Sequence, residues 1–228
     1  MQKKPDENGV MRNKRSLRMI FKKLRQLINT NFTDDESETQ LFITLTYKEN
    51  MQDDKKLHKD FKDFFARLKR HVKEHELAYI SIVEPQGRGA WHVHLLLKTL
   101  NQPGLFIPHQ DIEKLWGHGA TRTERLQADN LGSYFVAYLS NAELSDAKIE
   151  ALEVSDEDIK EQDGKKYLKG IRLKWYPDYM QIYRHSRNIK QPSISNNPDI
   201  DGTVTYSNLK VIETEKKELE ILTEQRKV

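Results

Sequence analysis

His92 and His94 stand two apart in residues 90–98 (AWHVHLLLK), a run whose alternation reads as a β-strand. A period of two sends both imidazoles to one face with Leu96, and Trp91, Val93, Leu95 and Leu97 to the other. Residues 77–84 (LAYISIVE) form a second strand, and the Pro85–Gly89 segment between them has hairpin composition. If that five-residue loop closes a regular hairpin, Glu84 lies opposite Ala90 and diagonal to His92, on the histidine face. Two imidazoles and a carboxylate leave open positions on a divalent ion, as a catalytic site requires. Nitrogen and oxygen donors without sulfur favour Mg²⁺ or Mn²⁺ acting on a phosphate oxygen; zinc-assisted hydrolysis is the other metal chemistry, and packed surface histidines the reading without chemistry.

A second constellation lies in residues 129–141 (DNLGSYFVAYLSN), read as a helix with Asp129 or Asn130 as N-cap. Tyr134 and Tyr138 are four apart and project from one face, flanking a core stripe of Leu131, Phe135 and Leu139. A phenol has a pKa near 10, which a neighbouring cation lowers, and it is a competent nucleophile toward phosphorus; amphipathic packing is the alternative.

The elements that position these groups are legible around them. Residues 40–47 (QLFITLTY) read as a strand, and residues 53–73 as a core helix through Leu57, Phe61, Phe64, Phe65, Leu68 and Val72. Residues 108–116 form a short helix, and the Gly117-His118-Gly119-Ala120 turn feeds a polar strand over 121–126. Near the start, Leu17, Ile20, Phe21, Leu24, Leu27 and Ile28 make one stripe of an amphipathic helix. Its other face carries bases, either solvated or in contact with phosphate.

Across 228 residues, 38 Lys+Arg against 35 Asp+Glu leave a net charge of only +3, so attraction to a polyanion must come from local clustering. The clusters are there. Residues 1–30 hold Lys3, Lys4, Arg12, Lys14, Arg15, Arg18, Lys22, Lys23 and Arg25 against Asp6 and Glu7, and residues 165–190 mix bases with Tyr167, Trp175, Tyr176, Tyr179 and Tyr183. Mixed bases and aromatics suit single-stranded nucleic acid, or else an aromatic core with snorkelling lysines. Between them, residues 143–163 are strongly acidic and read as a solvated, mobile excursion. Beyond Pro192 a polar loop (SISNNPDIDG) precedes a charged end, from Glu213, read as helix or tail. The absence of cysteine excludes disulfides and thiolate chemistry and fits a reducing compartment, hence the expectation of a cytoplasmic protein. No apolar run suggests a membrane span or a signal peptide.

Taken in order, Phe42-Ile43-Thr44-Leu45-Thr46-Tyr47, Glu84, Trp91-His92-Val93-His94-Leu95-Leu96-Leu97 and Tyr134-Phe135-Val136-Ala137-Tyr138-Leu139-Ser140 resemble the three motifs of the HUH endonucleases, in particular the rolling-circle replication initiators of bacterial plasmids and phages. Leu115-Trp116-Gly117-His118-Gly119 and the run from Ile171-Arg172-Leu173 to Gln191-Pro192 are further echoes, so the likeness covers roughly residues 15–192.

The resemblance implies an α+β fold: a central antiparallel sheet of about five strands, with a ferredoxin-like palm, whose middle strands carry the histidines beneath the tyrosine helix. It divides the chain into a basic arm and helix (1–35), an endonuclease domain (36–192, with the acidic insertion 143–163) and a C-terminal polar extension (193–228). It makes His92, His94 and Glu84 the ligands of Mg²⁺ or Mn²⁺, Tyr138 the nucleophile and Tyr134 the second tyrosine of two-tyrosine members. It also implies single-stranded or hairpin origin DNA as partner, contacted by Lys14, Arg15, Arg18, Arg88, Arg184, Arg187 and Lys190, with a host helicase as a further partner and a monomeric or dimeric protein. A relaxase, a transposase and an inactive nucleic-acid-binding relative share the same pattern. One position departs from it: Asn141 stands where many relatives carry a lysine, and a base from residues 184–190 is expected to replace it.

Overall fold

The computed structural model describes residues 7–86, 90–126, 132, 135–136, 142–143, 159–162, 165–168, 172, 176, 180–193, 203–214 and 217–227. The first helix, α1, runs over Glu7–Asn31, starting well before its apolar stripe. Leu17, Phe21, Leu24, Leu27 and Ile28 are buried while Lys22 and Lys23 are exposed, so the helix docks through the stripe. A short 3-10 helix, Asp34–Thr39, leads into β1, Gln40–Thr46. Next comes α2, Asp54–His71, opened by Asp53, whose side chain accepts from the backbone N–H of Lys56 (3.0 Å), and closed by Lys69, Arg70 and His71 where the macrodipole favours cations. The strands β2 (Leu77–Pro85) and β3 (Trp91–Thr99) form the expected hairpin. They are followed by α3 (His109–Trp116), capped by Gly117 at φ 70°, and β4 (Thr121–Glu124).

With β8 (Tyr183–His185) these strands make one antiparallel sheet in the order β4-β1-β3-β2-β8, so the fold is α+β as expected. The two faces have different cover. Leu45, Tyr47, Tyr79 and Val93 face α2 and α3, where Phe61 meets Tyr79 (5.6 Å between centroids) and Trp116 meets both Tyr47 (5.0 Å) and Phe64 (5.8 Å). Each fully buried side chain of this size contributes about 1.5–3 kcal/mol, which fixes the sheet from behind. On the other face Lys98 donates to the carbonyl of Asn31 at the end of α1 (2.9 Å). Asn31 also exchanges a reciprocal pair with the backbone of Lys190, donating to its carbonyl (2.8 Å) and accepting from its N–H (2.9 Å). That face, the one with the histidines, is therefore roofed by α1.

Two sequence expectations change at the chain's acidic and C-terminal parts. Residues 143–163 do not begin and end as open excursion: β5 (Ala142–Glu143), β6 (Ile159–Gln162) and β7 (Lys165–Leu168) form a three-stranded sheet in the order β5-β7-β6, and residues 144–158 lie outside the described residues. The charged end from Glu213, expected as helix or tail, belongs to an antiparallel pair of β9 (Thr203–Thr214) and β10 (Lys217–Lys227), while residues 194–202 of the expected loop lie outside the described residues. The register sets Leu209 opposite Leu222 and Ile212 opposite Leu219, and interspersed charges hide this alternation in the sequence. Among the described residues no helix is long and apolar enough to cross a membrane.

Candidate metal centre

The hairpin that builds the site is tighter than its loop composition suggests. Pairing continues through Pro85 opposite Trp91, and the N–H of Gln86 donates to the carbonyl of Ala90 (2.8 Å). Glu84 therefore lies directly opposite His92, two positions from the expected register. A shift of two preserves the face, whereas a shift of one would have turned the carboxylate to the other side. The start of β3 is pinned by Trp91, whose backbone N–H donates to the Met51 carbonyl and whose indole N–H donates to the Gln52 carbonyl (both 3.1 Å).

Glu84, His92 and His94 come together as expected, each offering one ligand atom with all three atoms within 4.8 Å of one another. Glu84 and His94 are buried and His92 half-buried. The Glu84 Oε2 atom is 2.5 Å from His94 Nε2, and its Oε1 meets the guanidinium of Arg172. Burial pushes the His94 imidazole down to about 4, so at neutral pH the ring is uncharged. An uncharged imidazole is the form that ligates a metal. Two ring nitrogens and a carboxylate, without thiolates, fit a divalent ion that keeps open positions.

The imidazoles have orienting partners. Thr44, opposite His94 on β1, places its hydroxyl 3.2 Å from His94 Nδ1, and Gln86 places its side-chain amide 3.2 Å from His92 Nδ1. A hydroxyl donates or accepts, so Thr44 serves the ring whether Nε2 carries a proton or a metal. Thr44→Val keeps shape and strand preference but removes that partner. It should weaken Mn²⁺ binding, followed by calorimetric titration, roughly 10- to 100-fold while leaving the fold intact. Alternation along β1 places Thr44 and Thr46 on the histidine face and was the signal available for this role.

Tyr134 and Tyr138 lie outside the described residues, but Gly132, Phe135 and Val136 of the same segment are helical. Phe135 is buried and packs edge-on against Phe42 (4.9 Å), and Phe42 stacks on His94 (5.5 Å). The tyrosine-bearing segment thus reaches the metal face through a Phe135–Phe42–His94 chain of rings. At its start the N–H of Gly132 donates to Asn29 Oδ1 of α1 (2.8 Å), and a Cβ there would fall 2.4 Å from that oxygen and 2.6 Å from the Arg25 carbonyl. Only glycine permits this approach.

The tyrosines whose side chains are described, Tyr47, Tyr79, Tyr176 and Tyr183, are all pushed upward, chiefly by burial. Tyr47 in addition donates to Asp60 (2.9 Å) and Tyr176 to the Val83 carbonyl (3.0 Å). None is poised as a phenolate.

The basic residues distribute differently from the simplest expectation. Arg184 pairs with Ser81, on the sheet face opposite Glu84, and its charge acts on His58 of α2. Arg187 and Lys190 are exposed beyond β8. The side chains of Lys14, Arg15 and Arg18, and all of Arg88, lie outside the described residues. Among the described residues the base that reaches the site is Arg172, which belongs to the Ile171-Arg172-Leu173 stretch of the resemblance but to none of the DNA contacts expected from it.

Residues 40–143 match the family model of the replication-associated protein ORF2, a span that holds Glu84, His92, His94, Tyr134 and Tyr138. The chain is similar over that stretch to proteins of DNA replication. No curated protein and no solved structure matches the chain.

Proposed function

We propose that this chain is a rolling-circle replication initiator of the HUH type, a metal-dependent nickase and ligase that acts on one strand at the origin of a plasmid, phage or integrative element. The observation that carries the reading is the Glu84–His92–His94 cluster on the sheet face to which Phe135 ties the tyrosine segment. The family match over residues 40–143 supports the same task.

His92, His94 and Glu84 would hold the ion, Mg²⁺ or Mn²⁺, which when bound would supply positive charge to polarise the scissile phosphate and offset the charge that develops on it. Tyr138 loses its proton and attacks phosphorus; the new O–P bond replaces the bond to the 3′-oxygen, which leaves and takes up a proton. The 5′-phosphate stays on the tyrosine, so bond energy is conserved and the reverse reaction rejoins a strand without an external energy source. The free 3′-hydroxyl primes synthesis, and Tyr134 or a second subunit performs the closing transfer. Bases of α1 and of residues 184–190 bind the DNA backbone, with an affinity that falls as salt rises. The protein works in the cytoplasm, as a monomer or dimer, with a host helicase opening the duplex ahead of it.

The test mixes full-length protein, Mn²⁺ and a labelled single-stranded hairpin from the element's origin. A band that migrates as protein–DNA adduct under denaturing conditions is the expected result. A hairpin that is bound but never becomes covalently attached, at any concentration of Mn²⁺ or Mg²⁺, would leave a binding protein without the reaction.

A further inference from the structure

The Glu84 carboxylate is only 3% exposed and lies on a strand face with Ile80 and Ile82, where an uncompensated charge is untenable. It has two partners, on different oxygens: His94 on Oε2 and Arg172 on Oε1. Arg172 does not arrive there by chance of a long side chain. Four residues on, Tyr176 is buried, donates its hydroxyl to the carbonyl of Val83, the neighbour of Glu84, and packs edge-on against Phe21 of α1 (6.1 Å). The phenol thus fastens Tyr176 to the backbone beside the carboxylate, and the Arg172 side chain is 19% exposed.

An ion held by Glu84, His92 and His94 would stand within a few ångströms of that guanidinium, and two cations that close repel strongly in a half-buried site. We propose that Arg172 is the internal counter-cation of the metal-free site: it occupies Glu84 until an ion arrives, and ion binding passes Glu84 to the metal and releases the guanidinium to a DNA phosphate. This inference rests on the metal reading above and adds its regulation. The planar fork of arginine matches a phosphate in two parallel hydrogen bonds, which suits the released group to the role that the Asn141 position leaves open. Because coupling is reciprocal, a phosphate that draws Arg172 off Glu84 strengthens metal binding by the same factor that the metal strengthens phosphate binding. The site then charges fully only when ion and strand are present together, which suppresses stray cleavage.

The experiment titrates Mn²⁺ into full-length, metal-stripped protein by calorimetry, without and with a short oligo(dT), and repeats both titrations for Arg172→Gln. Oligo(dT) should tighten Mn²⁺ binding to the wild type about tenfold, and Arg172→Gln should bind Mn²⁺ about tenfold tighter without DNA and gain nothing from it. Unchanged or weaker Mn²⁺ affinity in Arg172→Gln, with the wild type binding normally, overturns the switch and leaves the metal centre standing. Wild-type protein that binds no Mn²⁺ through these ligands removes the metal centre itself. A measurement on the wild type alone covers a variant that fails to fold: amide exchange around Arg172 and Tyr176 should quicken when Mn²⁺ is added, and an unaltered rate rejects the release of Arg172.

Discussion

Tyr138→Phe should abolish the covalent protein–DNA adduct, lowering its rate of formation by at least about 1000-fold, because no other oxygen on that side chain can displace the 3′-oxygen from phosphorus. Affinity for the hairpin should stay within roughly twofold of wild type, since backbone contacts come from the basic residues elsewhere. Tyr134→Phe should still form the first adduct, and it should fail in the second transfer when Tyr134 rather than a second subunit performs that step. Denaturing gels of the two variants with an end-labelled hairpin check both statements. Full adduct in Tyr138→Phe together with loss in Tyr134→Phe would exchange the roles. The described tyrosines are poor substitutes: Tyr47 and Tyr176 spend their hydroxyls on Asp60 and on a backbone carbonyl, and burial disfavours the phenolate in each case.

Replacing both His92 and His94 by Ala should remove Mn²⁺ binding and lower nicking by roughly two to four orders of magnitude, the range expected when preorganised charge stabilisation is lost. His94 is 1% exposed, so its truncation also leaves a void beneath Phe42, and the fold must be followed by circular dichroism. His94→Gln retains more of the volume and separates the two effects: a folded variant that has lost metal and activity isolates the ligand role. Nicking that continues in the double variant, or in wild type with excess chelator, would remove the ion from the reaction. Tyr138→Phe should bind Mn²⁺ normally, so the two experiments report on different halves of the site.

The parts of this molecule read most directly from sequence are those with a strong period. β1, β2, β3, α2 and α3 fall within two residues of the expected bounds at each end, because QLFITLT alternates, LAYISIVEP and WHVHLLLKT are short apolar β-branched and aromatic runs buried on both faces, and the Phe-rich helix keeps a helical period. From them the shared face of Glu84, His92 and His94 followed, although the hairpin register did not: loop composition marks a turn without fixing where pairing stops. β8 is three residues long, too short to show any period, and it is specified by its tertiary partner β2. Arg172 falls in the Ile171-Arg172-Leu173 stretch of the resemblance, but it is far from Glu84 along the chain and sits among other bases, so its place at the carboxylate was not legible. The long β9–β10 hairpin was obscured by its charge, since Lys and Glu between apolar positions read as a solvated tail.

The five-stranded sheet terminates on both flanks in stubs, β4 with four residues and β8 with three. Margins this short offer almost no template for edge-to-edge addition, so a neighbouring molecule cannot simply extend the sheet.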